Sequence, residues 1–539
     1  MYRKTYVALA YLGLLLGTAG CDTFLTGDKL STNPNLPTAA SIQQLFVGVQ
    51  AGQFAFEEGT VAMMMCQWVQ ACSATNGRFV QNAAQYNFGE GSNIGANGGD
   101  WISVYDGGGL VDIKQVEADA AATGDSAWLG IAKIWEAFTM GTASAMWGDI
   151  PYSQAISSNK SPALDNRFVI LGNLQNVLTE AIAELHSGSG SGPGAADLVL
   201  GGDTAAWSRV AWTLKARYYI ETAESLGAAA YNNAITAATN GISDPSGASD
   251  FRSFHSTATS ERNMWAQFQT SSGFGGDLEG GRALADYMNA RLDPRRAAYF
   301  CPTATAPWRA KGRFGLSAKI VDANGQVEKV VAIVDTAHNF SGSTEPTWPT
   351  TTGATIADSN LTWRNLGQPY GGDDFNVSVS PDSISNFLCQ PARFADNARV
   401  PYVTYVENEL ILAEAYNKTN NDALALTHLN NARATVGAPI STPLVGIVGP
   451  ALLDSIMMEK WVSLFQNMES ISDYRRTCIP ALTPSANSFN FTHVPGRLYY
   501  PQNERNVNTN VPDASTQLAT HGFRNAGDVH ACQGSDNAP

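Results

Sequence analysis

Residues 404–436 read TYVENELILAEAYNKTNNDALALTHLNNARATV. Val406, Leu410 and Ala413 recur at helical spacing, and so do Ala423, Leu426 and Leu429 beyond an Asn-rich turn. Two amphipathic helices joined by so short a turn make a helical hairpin of about 34 residues, the size of a tetratricopeptide unit. The small residues Ala413, Ala415 and Ala432 let neighbouring helices approach closely. His428 falls inside this hairpin and reads as a packed or surface residue, not as a ligand.

The same periodicity continues upstream. Ile131, Trp135, Phe138 and Ala145 with Met146 outline one helix face, ended by Gly148 and Pro151. Leu171, Leu174, Leu178, Ile182 and Leu185 outline a second, with Asp165 as the N-terminal cap signal and a Gly/Ser run from Ser187 to Gly192 behind it. Trp207, Ala211, Leu214 and Tyr218 mark a third, partnered by a helix over 231–242. Downstream, Leu453, Met457, Trp461 and Leu464 face inward from a helix over 452–465. Between 244 and 400 the texture changes to Gly, Ser, Thr, Asn and Asp with scattered aromatics. There Asn324-Gly325, set between β-favouring runs, predicts a hairpin. The expected fold is mainly α: a tetratricopeptide-like helical-hairpin scaffold carrying a large loop-rich insertion with short β-hairpins. Binding residues gather on long ordered loops of this kind.

The ends of the chain read differently. Arg3 and Lys4 precede an uncharged run from Val7 to Gly20, too short to span a bilayer and suited to an export signal. Thr18-Ala19-Gly20-Cys21 resembles a bacterial lipobox, so cleavage before Cys21 and acylation of that residue are expected, several acyl chains anchoring stably where one is marginal. The expected division is a signal peptide over 1–20, a lipidated tether over 21–40, scaffold over 41–243, the ligand-binding insertion over 244–400, scaffold again over 401–480 and an irregular C-terminal segment over 481–539. Six further cysteines permit disulfides in an exported protein. Cys66 and Cys72 are close enough for a local loop, and Cys478 with Cys532 could tie down the tail.

With 48 acidic against 33 basic residues, the net charge of −15 excludes a nucleic-acid partner, which needs a basic face to displace counterions. It also disfavours direct adhesion to an anionic membrane surface. The chain has no metalloprotease, nucleophile-elbow, phosphate-loop or complete EF-hand motif. No cofactor or metal is called for, and binding is expected to be insensitive to chelators unless calcium supports a loop. What stands out is aromatic residues in polar loops. Tyr86 and Trp101 lie in or beside a Gly/Asn-rich stretch, and Trp265, Trp308 and Trp348 lie in the insertion. Sugar rings stack C–H faces on flat aromatics while their hydroxyls seek amide and carboxylate partners. These five are the candidate ligand-binding residues. Taken singly, each reads more readily as a mini-core residue holding a loop down.

Several segments, in order, resemble the SusD/RagB family of outer-membrane nutrient-binding lipoproteins. They are Gly148-Asp149-Ile150-Pro151-Tyr152, Pro162 to Asp165, Leu214 to Tyr219, Asp293-Pro294-Arg295, Tyr402 to Ala415, Glu459-Lys460-Trp461, Asp473 to Thr477, and Arg497 to Glu504 with Asn508 and Asn510. Arg217 and Glu414, charged residues on otherwise apolar helices, read as buried in ion pairs or in bonds to the backbone, and Arg475, Arg476 and Arg497 as donors to carbonyls at helix ends. The resemblance implies four tetratricopeptide-like hairpins, an irregular subdomain for the ligand, a surface-exposed outer-membrane location and a SusC-like TonB-dependent transporter as partner. The expected function is non-catalytic capture of an oligosaccharide and its delivery to that transporter. An oligopeptide ligand is the alternative, and a tethered glycan hydrolase a more remote one.

Overall fold

The computed structural model describes residues 40–74, 99–270, 278–300, 391–482, 494–513 and 515–517, with Phe79, Ala83, Tyr86 and the strands 314–321, 327–334 and 361–365. In chain order the elements are α1 (Ile42–Glu57), α2 (Thr60–Trp68), β1 (Cys72–Ala74), α3 (Gly99–Tyr105), α4 (Leu110–Thr123), α5 (Ser126–Trp147), α6 (Arg167–Ser187), α7 (Thr204–Leu226) and α8 (Ala228–Thr239). Then come β2 (Phe251–Arg252), α9 (Met264–Thr270), β3 (Leu278–Gly280), α10 (Arg282–Ala290), α11 (Arg296–Tyr299), β4 (Phe314–Val321), β5 (Val327–Val334) and β6 (Leu361–Asn365). The chain closes with β7 (Pro401–Val403), α12 (Tyr405–Lys418), α13 (Asp422–Ala434), α14 (Gly449–Ser463), α15 (Glu469–Thr477) and α16 (Gln502–Val507).

The helices pack as a stack, each on the next: α4 on α5, α5 on α6, α6 on α7, α7 on α8, α8 on α12, and α12 on both α13 and α14. Local chemistry sets the turns. Gly124 ends α4 in the left-handed conformation and Asp125 caps α5 by accepting the Trp128 N–H at 3.1 Å. Asn420 takes φ +61° between α12 and α13, and the Asn421 side chain accepts the Leu424 N–H. Gly141 lets α5 and α7 approach closely: a Cβ there would stand 2.2 Å from the Tyr218 hydroxyl, which donates to the Ala137 carbonyl at 2.6 Å.

Two details depart from the sequence reading. The buried face of α13 is Ala425, Leu429 and Ala432, and Ala423 is exposed. The cap of α6 is Asn166, which accepts the Phe168 N–H. Asp165 instead takes the Tyr152 and Ser153 N–H groups at 2.9 and 2.7 Å, closing the turn after Pro151.

The stretch between α8 and α12 leaves the stack unbroken. Its two ends meet in the antiparallel pair β2–β7, with Phe251 opposite Val403. It is not all loop, since α9, α10 and α11 lie within it. The hairpin expected at Asn324-Gly325 is present as β4 and β5, with β6 on the other side of β4. Among the described residues no helix is long and apolar enough to cross a membrane.

Candidate functional site

A layer of rings holds the base of the insertion to the stack. Phe251 of β2 meets Trp135 and Phe138 of α5 at 4.9 Å each, Trp207 of α7 at 5.2 Å and Tyr402 of β7 at 5.3 Å. Beside it, Glu58 is buried among donors. Tyr402 donates its hydroxyl at 2.8 Å, Asn263 its amide at 3.4 Å, and His255 Nε2 lies 2.9 Å from both carboxylate oxygens. The adjacent Glu57 is pushed up to about 8 by burial, against a hydrogen bond from Thr142 and the charge of Arg217.

Further contacts join the residues that border 75–98, 271–277 and 301–390 in the chain. β1 pairs antiparallel with β3, Ala74 opposite Leu278. The start of 271–277 follows α9, where Gln269 donates to the Leu278 carbonyl at 3.2 Å and Trp265 meets Phe394 edge-on at 5.6 Å. Residues 300 and 391 flank the third segment. Phe300, Tyr299 and Phe394 all converge on Phe465, with Tyr299 stacked on it at 4.6 Å. Arg393 adds a bond to the Phe465 carbonyl at 2.8 Å. The residues just before 271–277 and on either side of 301–390 thus meet in one ring cluster around Phe394 and Phe465. Sequence reading missed Phe394 and Phe465 as its hub. Neither belongs to a periodic face with the others, and only three-dimensional contact joins them.

Buried charges lock this layer to the last helices. Glu459 of α14 binds Arg291 at 2.6 Å and Arg295 at 2.7 Å, and Arg295 also binds Asp293. The segments around Asp293 and Glu459, far apart in sequence, are therefore one cluster. In the stack, Arg217 grips Glu407 through two bonds of 2.6 and 2.7 Å. Glu414 is held by Arg476 at 2.6 Å and Lys460 at 2.7 Å. Burial works to raise the Glu414 carboxyl, but those two cations outweigh it and bring it to about 2. Arg475 donates to the Ala145 carbonyl at 2.6 Å, and Arg497 to the Leu498 carbonyl at 3.2 Å. These charges serve the scaffold, as expected, although Arg476 pairs with carboxylates and not with carbonyls.

Three of the five candidate rings lie inside, where the mini-core reading of each ring puts them. Trp265 is wholly buried, Tyr86 1% exposed and Trp101 4% exposed. Trp101 donates its indole N–H to Glu504 at 3.2 Å and is flanked by Tyr105, Trp147 and Tyr500. Tyr86 stands edge-on to Trp68, and burial pushes its hydroxyl up. In this structure each ring packs into a different part of the interior, and no face is open to stack on a sugar. The physical reason is size: an aromatic ring at the edge of a loop gains most by burying itself and pinning the stem. Trp308, Trp348 and the lipidation residue Cys21 lie outside the described residues. So does Cys532, while Cys66 and Cys72 form a disulfide and Cys478 is disulfide-bonded as well.

Two features stand apart from the ring layer. A groove of about 460 Å³ lies between α1 and the start of α4, beside Ala40, Leu45, Gly48 and Gly108. Glu117 and Glu136, two neighbouring carboxylates, share Lys114 at 2.9 and 2.6 Å. Burial first and the Glu136 charge second raise Glu117 to about 8. This pair sits between α4 and α5 with Glu136 1% exposed, which is no place for a polysaccharide. Among the described residues no group of three or more His, Cys, Asp or Glu is placed to hold a metal ion.

A helical stack with a loop-bearing ring layer is an architecture with known relatives. The family model described as "Starch-binding associating with outer membrane" matches residues 34–501. The chain belongs to the SusD-like family. Solved SusD-like structures share its fold. A chitin-binding protein superposes with a TM-score of 0.64 at 19% identity, over 91% of this chain and 100% of that one. A chitin-binding SusD homolog from Flavobacterium johnsoniae gives 0.64 at 17% identity, over 90% and 99%. A SusD/RagB family protein from Bacteroides thetaiotaomicron gives 0.59 at 17% identity, over 88% and 95%. At these identities the likeness speaks for the fold. No curated protein matches the chain in sequence. Membership places the chain in an outer-membrane-associated, carbohydrate-binding family, and motifs such as Arg217 with Glu407 and Glu414 with Arg476 are what hold its SusD-like stack together.

Proposed function

We propose that the chain is a non-catalytic lipoprotein of the cell surface that captures a neutral oligosaccharide on the loop-bearing face and delivers it to a SusC-like TonB-dependent transporter. The observation that carries this reading is the family match over 34–501, to a family described as starch-binding. Three others support it. Two structural neighbours are chitin-binding. The stretches 75–98, 271–277 and 301–390 are polar in sequence and carry aromatic residues. Among the described residues, the neighbouring carboxylates Glu117 with Glu136, Asp293 with Glu459 and Glu414 with Asp473 are all buried and paired with cations. With Tyr86, Trp101 and Trp265 buried, Trp308 and Trp348 are the indoles we assign to ligand contact. The export run ending at Cys21 supports a lipid anchor, which keeps a helix-free attachment at the membrane.

The test is calorimetric titration of the purified mature chain with maltoheptaose, chitohexaose and a panel of oligopeptides, with an assay for new reducing ends. Binding of a glycan with no release of reducing ends is expected. Binding of peptides alone would move the ligand class, and release of reducing ends would overturn the non-catalytic reading. Replacement of Cys21 by Ser should shift the protein from membrane to soluble fractions. Co-purification of a TonB-dependent receptor with the wild type is the expected sign of the transporter.

A further inference from the structure

The neck of the insertion, where β2 and β7 bring its two ends together, is held by two consecutive buried glutamates. Glu57 ends α1 and Glu58 caps it. Glu58 reaches both strands of the neck. It meets the outgoing strand through His255 Nε2 at 2.9 Å and the Asn263 amide at 3.4 Å, and the returning strand through the Tyr402 hydroxyl at 2.8 Å. The strands also hold each other: the Asn263 amide donates to the Ala398 carbonyl at 2.9 Å, and the Val400 N–H to the Ser253 hydroxyl at 2.8 Å. Glu57 is placed differently. It is buried, and its Oε1 finds no hydrogen-bond partner among the described residues. Thr142 of α5 bonds to its carboxyl, and the cation that acts on it is Arg217 of α7. That guanidinium is already engaged with Glu407 of α12 and with the Tyr402 carbonyl, and it also feels Glu469 of α15. The remaining groups facing Glu57 are Glu58 itself and the Tyr218 and Tyr402 hydroxyls, which its charge helps to raise, while α2 carries no charged residue. A negative charge on Glu57 would therefore stand beside Glu58 in one dry interior, with the guanidinium spoken for. Burial accordingly pushes the Glu57 carboxyl up to about 8.

We propose that the neck is an acid-tightened latch: Glu57 keeps its proton while Glu58 holds both strands, and the neck opens with release of that proton. The inference is independent of the ligand the chain takes. In the opened neck Glu57 meets water and ionises near its ordinary value of 4.5. Between that pH and 8, each opening event sheds one proton, so rising pH favours the open form. Below 4.5 the latch has its full strength, and above 8 the contribution of Glu57 is spent. The opening is local, because the bonds it breaks join the two ends of the insertion to one turn of the stack, and the helices behind need not part.

The test is hydrogen exchange of the mature chain, read by mass spectrometry from pH 5 to 9 and corrected for the intrinsic pH dependence of exchange. In the wild type, the opening equilibrium over 251–256 and 400–404 should rise about tenfold per pH unit between 5 and 8 and level off above 8. At every pH these peptides should be less protected than the buried turns of α5 and α7. In Glu57→Gln, a neutral side chain of the same shape, the neck should open to the same extent across that range. A wild-type neck whose opening does not vary with pH overturns the proposal. So does a neck as strongly protected as α5 and α7, since only global unfolding would then reach Glu57. A slope that survives in Glu57→Gln places the proton on another group, and a Glu57→Gln chain that does not fold shows that the neutral form is not what the site accepts; either result overturns it as well.

Discussion

The helical stack and the loop-bearing face are built by opposite means. In the stack, neighbours in space are mostly neighbours in sequence, and each turn carries its own instruction: Gly124 with Asp125, Asn420 with Asn421. At the face, the partners come from remote parts of the chain. Trp265 meets Phe394, Tyr299 meets Phe465, and Arg291 and Arg295 meet Glu459. Damage to the stack should therefore be felt as lost stability of the whole. Damage beyond the ring layer should be felt as lost binding.

The largest effect is expected inside the stack. Glu414→Ala strands Arg476 and Lys460 without their shared carboxylate, and about 3–5 kcal/mol of stability should vanish in urea denaturation. Trp265→Ala sharpens the boundary. As a stem residue it should cost about 3 kcal/mol, whereas a ligand-contacting ring would cost binding and little stability. The pH dependence comes next. Glu57, raised to about 8, keeps in the folded state a proton that the unfolded chain releases near pH 4.5. Its contribution is full below that pH and lost as pH rises through 8, and Glu57→Gln should flatten this slope in urea midpoints from pH 5 to 9. Glu414 has the opposite sign: its contribution holds above pH 4.5 and fades as pH falls toward 2. Asp125→Ala removes a cap that also accepts the Ser191 and Gly192 N–H groups, for about 1–2 kcal/mol. The smallest stability effect is expected from Trp308→Ala, within about 0.5 kcal/mol, with clearly weakened glycan binding by calorimetry. Loss of stability without loss of binding there would erase the distinction between the two regions.

How much could be read from the chain follows the same division. The 404–436 hairpin was legible because Leu410, Ala413 and Leu429 sit inward at helical spacing. The pairing of β4 with β5 was legible because Asn324-Gly325 stands between two β-favouring runs in the sequence. Arg217 and Glu414 were legible as buried partners because a charge on an apolar helix needs one. The errors are equally physical. Ala423 and Ala425 both fit a loose apolar spacing, and only packing against α12 and α14 chooses between them. Asp165 and Asn166 are both good caps, and the turn at Tyr152 and Ser153 claims the first. Trp101 and Trp265 were ligand candidates because polar residues surround them in sequence, and Glu504 and Phe394, their partners in space, are remote.

The pairing of Phe251 with Val403 carries one more consequence. Since the stretch they bracket begins and ends at the same point, its length is nearly free to vary: doubling a closed loop adds only about 0.6 kcal/mol of chain entropy. A lineage could therefore trade this cassette for a longer or shorter one, and change its cargo, without redesigning the body that carries it.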